Sequence, residues 1–143
     1  MIPAFNKIGN LLPGKHRATF AEIKGRFGFN EHRLLLLEGF KNLLIELKRA
    51  GCDEIWLNGS FVTKKEFPEN YDMCFQIKGV DPDLMDPLIC SGDRDERKKK
   101  YRGDIFPNFI EGGSGKPFDE FFQEDRDGNP KGIIVIKPQE END

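Results

Sequence analysis

The residues best placed to do chemistry stand close together near the middle of the chain: Gly59-Ser60, Asp72 and, two positions further on, Cys74. An apolar run, Ile55-Trp56-Leu57, breaks at Asn58-Gly59-Ser60. A polar loop with Pro68 and Asn70 follows, and a second apolar run carries Asp72 near its start. Gly59 would let a phosphate approach the backbone, and Ser60 would offer it an N–H and a hydroxyl. Asp72 would supply the hard oxygen that Mg²⁺ prefers. Strand, Gly-Ser turn, loop and acid-bearing strand together are the layout of a phosphate site with a metal-binding carboxylate beside it. Along the second run Tyr71, Met73, Phe75 and Ile77 share one face, and Asp72, Cys74 and Gln76 the other. At this spacing two carboxylates would clamp metal ions, but Cys74 holds the second place. A thiol is a soft ligand and a poor substitute around Mg²⁺. As a nucleophile Cys74 would need a neighbouring base, and nothing in the sequence brings His16 or His32 to it. A buried structural cysteine is the other reading.

The remaining candidates are weighed the same way. Residues 94–102 hold Arg94, Arg97, Lys98, Lys99, Lys100 and Arg102, interleaved with Asp93, Asp95 and Glu96. Lys98 and Lys100 are candidates to grip a nucleotide's phosphates, and the whole run could touch an RNA backbone. A solvated helix face laced with local ion pairs is the alternative. Asp125-Arg126-Asp127-Gly128-Asn129 begins like a calcium loop, but Pro130-Lys131-Gly132 interrupts it, so it reads as a tight turn. Residues 112–115 lack the Gly-Lys-Ser/Thr ending of a phosphate-binding loop and read as a flexible surface loop. Phe118, Phe121 and Phe122 are spaced like a helix's core or partner-binding patch rather than a stacking platform.

These residues need elements to hold them. Thr19-Phe20-Ala21-Glu22 has capping-box spacing and opens a short helix from Phe20 to about Arg26. Asn30 caps a long helix from Glu31 to about Arg49, with Leu36, Phe40, Leu43, Leu44 and Leu47 on its buried face and Gly51 as its stop. Strands are expected over 53–59, 71–78, 103–106 and 132–137, and helices over 94–101 and 117–123. The reading is an α/β (α+β) fold, a small mixed sheet packed against a long helix and shorter helices. Residues 1–18 read as an irregular N-terminal segment, 19–137 as one domain and 138–143 as an acidic flexible tail.

Composition sets the outer bounds. The 143 residues are 37% hydrophobic and 33% charged, enough for one soluble domain with one core. A net charge of −3 makes any nucleic-acid surface local rather than global. No apolar run approaches the roughly 20 residues of a membrane helix, and the first residues lack a signal segment. Cys52, Cys74 and Cys90 have no metal-type spacing and read as reduced thiols of a cytoplasmic protein.

Leu57-Asn58-Gly59-Ser60 and Asp72-Met73, with Gly79-Val80-Asp81-Pro82 and the Asp-Gly-Asn-Pro-Lys-Gly of 127–132, resemble small bacterial and phage proteins of the polymerase-β-like nucleotidyltransferase superfamily. The likeness runs from about Leu12 to Ile136. It implies a minimal nucleotidyltransferase core that binds a nucleoside triphosphate with Mg²⁺ or Mn²⁺ and transfers a nucleotidyl group. By the resemblance Gly59 and Ser60 hold phosphate, Asp72 is the first metal-binding acid and Asp104 the candidate third, with Cys74 in place of the second. The acidic triad is thus incomplete. A catalytically inactive module of the same fold, binding a partner protein or RNA, is the alternative. Relatives of this size often belong to toxin–antitoxin or phage-defence modules, which implies a cognate protein partner.

Overall fold

The computed structural model describes residues 2–109, 112–125 and 127–141. A five-stranded mixed sheet contains β1 (Lys15–Arg17), β2 (Ile55–Asn58), β3 (Tyr71–Phe75), β4 (Gly103–Pro107) and β5 (Ile133–Ile136), in the spatial order β1-β5-β2-β3-β4. The outer pairs, β1–β5 and β3–β4, are parallel; β2 runs antiparallel to both its neighbours. The helices are α1 (Phe20–Phe27), α2 (Glu31–Arg49), α3 (Arg94–Tyr101) and α4 (Phe118–Phe121). The fold class is therefore α/β, with a mixed sheet on a long helix. Among the described residues no helix is long and apolar enough to cross a membrane.

Local signals explain the helix ends. Thr19 and Glu22 exchange both capping-box bonds, at 3.0 and 3.1 Å. The Asn30 side chain accepts from the Arg33 amide at 2.8 Å. At the other end of α2 the Gly51 amide donates to Lys48 and the Cys52 amide to Leu47, closing the last turn. In between, Leu36, Leu37, Phe40, Leu43, Leu44 and Leu47 are buried, and each such side chain contributes about 2 kcal/mol.

The alternation along β3 divides the core. Tyr71, Met73 and Phe75 face the α2 side with Ile55, Leu57, Ile105, Ile134 and Ile136. Trp56, Cys74, Ile133 and Val135 form the opposite face, covered by Phe106, Phe118 and Phe122.

Three expectations change. Lys15–Arg17 is a strand rather than irregular chain. It is an edge strand built of Lys, His and Arg, so it carries no apolar run, and it is held by parallel pairing to β5. β3 stops at Phe75, and Ile77 is exposed. The acidic tail is packed through Glu141: Pro138 is buried, the Gln139 amide donates to Lys48 and Cys52 carbonyls at 2.9 and 3.0 Å, and Glu141 accepts from the Phe20 amide. The acidic residues meet the donors of a helix start, a favourable pairing that composition alone does not reveal. Residues 142 and 143 lie outside the described residues.

Candidate functional site

Register on the sheet brings the two predicted acids together. Asp72 on β3 lies directly opposite Asp104 on β4, and Asn58 lies opposite Asp72 on its other side. The two acids open into a cleft of about 910 Å³ that Gly59, Ser60, Arg94 and Lys131 also line.

Gly59 is fixed by this neighbour. Its φ is +76°, and a Cβ there would stand 2.0 Å from Asp72 Oδ2. Only glycine lets the chain turn out of β2 and leave room for the carboxylate. Residues 59–62 form a 3-10 turn, with the Ser60 carbonyl accepting from the Thr63 amide and hydroxyl.

A residue that the sequence reading did not single out shapes this loop. Arg33, fully buried in the first turns of α2, donates Nε and Nη2 to Lys65 O, Nη2 to Thr63 O, and Nη1 to Phe61 O and Phe27 O, all between 2.6 and 3.0 Å. Its guanidinium also lies over the Phe29 and Phe61 rings. Burial lowers its pKa to about 10, so it stays a cation at neutral pH. Asn30 and His32 add bonds to the carbonyls of Glu66 and Pro68. The available signal was an arginine three residues after a helix cap, which looks like any surface charge until the loop is folded over it.

The electrostatics of the pair are asymmetric. Burial, and then the charge of Asp104, raise Asp72 to about 6. Burial also acts to raise Asp104, but Arg94 and Lys98 outweigh it and the net shift is downward. Arg94 grips Asp104 with two bonds, Nε to Oδ1 at 2.9 Å and Nη2 to Oδ2 at 3.0 Å, and Lys98 Nζ lies 3.5 Å from Oδ2. Lys131 is half-buried beside them; desolvation lowers its pKa, while Asp72 and Asp125 act to raise it.

Other predicted residues go elsewhere. Lys100 pairs with Asp86, which also accepts from the Tyr101 hydroxyl at 2.6 Å, and does not line the cleft. Cys74 is buried beneath the Phe106–Phe118–Phe122 cluster, and burial pushes its thiol pKa up, which favours the neutral thiol over the thiolate. Where a tight turn is expected, Asp125 Oδ1 accepts from the Asp127 and Asn129 amides at 2.9 Å; residue 126 lies outside the described residues.

The donor set bears on the metal. Among the described residues no group of three His, Cys, Asp or Glu side chains could hold an ion. Asp72 and Asp104 are two hard oxygen donors side by side on β3 and β4, and Arg94 and Lys98 engage both oxygens of Asp104.

Over residues 3–137 the chain matches the model of a family of unknown function (DUF6932), and it belongs to that family. There is no match among curated proteins or solved structures.

Proposed function

We propose that this family member binds a nucleoside triphosphate and one divalent cation, Mg²⁺ or Mn²⁺, in the Asp72–Asp104 cleft and transfers a nucleotidyl group to an acceptor hydroxyl. The observation that carries the reading is the cross-strand pairing of Asp72 with Asp104 inside a cleft that also holds Gly59-Ser60 and Lys131. The likeness of Leu57–Ser60 and Asp72 to the polymerase-β-like nucleotidyltransferases supports it. Ser60 and Lys131 take the phosphates, and Lys98 and Arg94 hold Asp104 as an anion. When bound, the cation neutralises charge on the α-phosphate and the departing pyrophosphate. The acceptor oxygen bonds to the α-phosphorus, the bond to the bridging oxygen breaks, pyrophosphate leaves, and Asp72 takes the hydroxyl proton. Free Cys52, Cys74 and Cys90 suit the reducing cytoplasm. A cognate protein partner in a toxin–antitoxin or phage-defence module belongs to the same proposal, on the resemblance alone.

A second reading rests on Cys74. Because an aromatic cluster seals the place of the second acid, the cleft would bind a nucleotide, RNA or partner protein without turnover. Transfer of label from α-³²P-labelled nucleoside triphosphates to cell-extract acceptors separates the two. The expected result is label that Asp72→Asn reduces at least a hundredfold while nucleotide binding and melting temperature persist. Nucleotide binding without label supports the second reading. No binding of any nucleoside triphosphate with either cation overturns both nucleotide readings.

A further inference from the structure

Five of the six cations that the sequence singles out over 94–102 are committed within the fold. Arg94 and Lys98 hold Asp104, Lys99 pairs with Glu96, Lys100 with Asp86, and Arg97 donates to the Ser91 carbonyl. A different set lines the cleft and the groove beside it. Lys7, Lys64, Lys65 and Lys116 are exposed and make no ion pair with a carboxylate among the described residues. A groove of about 430 Å³ walled by Lys7, Gly9 and Lys64 adjoins the cleft and shares Asn10, Thr63 and Lys65 with it. The loop that Arg33 holds thus carries a lysine track out of the cleft. Phe121 and Phe122 line the same cleft with their centroids 5.3 Å apart, and Phe121 is 38% exposed.

We infer that this track binds single-stranded nucleic acid, which is then the acceptor. Lysines that follow a backbone, beside rings on which bases stack, are the combination that holds unpaired strands. A duplex hides its base faces from Phe121. An acidic protein would use the lysines but would bring no planar counterpart to the rings. With a net charge of −3 the molecule offers no general attraction, so the contact must be local. Naming the strand as acceptor rests on the nucleotidyl-transfer reading; its binding does not.

Fluorescence anisotropy of labelled RNA and DNA oligonucleotides, single-stranded and duplex, tests this between about 50 and 200 mM salt. No nucleoside triphosphate is present in that measurement. Single strands of both kinds are expected to bind. The slope of log affinity against log salt should be about −2 to −3, from three or four phosphates at about −0.7 each. Lys7→Glu with Lys64→Glu should weaken binding at least tenfold and flatten the slope, leaving nucleoside triphosphate binding by calorimetry unchanged. Phe121→Ala should weaken it by about tenfold through lost stacking. Absence of strand binding, equal binding of duplex, or indifference to both changes overturns the inference. Nucleoside triphosphate binding without strand binding overturns it alone; strand binding without nucleoside triphosphate binding overturns the proposed function alone.

Discussion

Asp72 is held in a position where ionisation is costly. Its pKa of about 6 stands above the ordinary 3.8, first because it is buried and then because Asp104 is charged beside it. Between these values the native metal-free protein binds more protons than the unfolded chain, so its stability falls as pH rises. The effect is fully present below pH 4 and lost above pH 6, and amounts to about 3 kcal/mol. Urea unfolding of the metal-free protein across pH 4–7 should show this decline, and Asp72→Asn should flatten it. Cys74 gives the opposite lesson about the same sheet face. Restoring the acid by Cys74→Asp would put a carboxylate under Phe106, Phe118 and Phe122. The expected outcome is a loss of about 3 kcal/mol or more and no gain in transfer, read by denaturant unfolding beside the label assay. The sequence made Asp72, Gly59 and Asp104 legible because strand periodicity and a Gly-Ser break are local signals. It did not show that Cys74, on the same face as Asp72, lies under a helix from far along the chain.

At the scale of elements, the start of α2 and the loop from Gly59 to Pro68 act as one unit. Arg33 supplies the donors for the carbonyls of Phe61, Thr63 and Lys65, groups that have no strand to pair with. Arg33→Met keeps the bulk but leaves the buried Phe61 carbonyl and the part-buried Thr63 and Lys65 carbonyls without their donor, at a cost of about 3 kcal/mol. Thermal unfolding should register the loss, and hydrogen exchange should localise the loosening to residues 59–66. Equal protection of those amides in both proteins would refute the coupling. The middle of α2 is constrained differently. A Cβ at Gly39 would meet the Tyr101 carbonyl oxygen at 2.2 Å, so Gly39→Ala must part α2 from the end of α3. Helix propensity alone favours alanine by about 1 kcal/mol; the clash should reverse that sign, with a lower melting temperature. Both helices were readable from caps and period. Their close approach was not, since a glycine within a helix pattern looks like a weakness until its neighbour is known.

Across the whole molecule, the sheet order joins the two ends of the chain. β1 from the N-terminal segment pairs with β5, and the residues after β5 return to α1 and α2. Reading 1–18 and 138–143 as appendages missed this because each is short and polar, and each is stabilised by partners more than a hundred residues or a full helix away. Pro138 is buried, and Gln139 bonds two carbonyls at the end of α2, one of them at Cys52 just before β2. Removing residues 138–143 therefore strips hydrogen bonds from the end of α2 and uncovers apolar surface there. At about 1 kcal/mol each, the two Gln139 bonds alone make the cost at least about 2 kcal/mol, which for a chain of this size lowers the melting temperature by roughly 4–8 °C or more. Differential scanning calorimetry on the truncated and full chains measures it. The transition should stay single, because β2 and β5 belong to both faces of the core and neither face can melt alone. An unchanged melting temperature would mean that the tail rests on the fold without stabilising it, and a second transition would mean that the two faces of the sheet unfold separately.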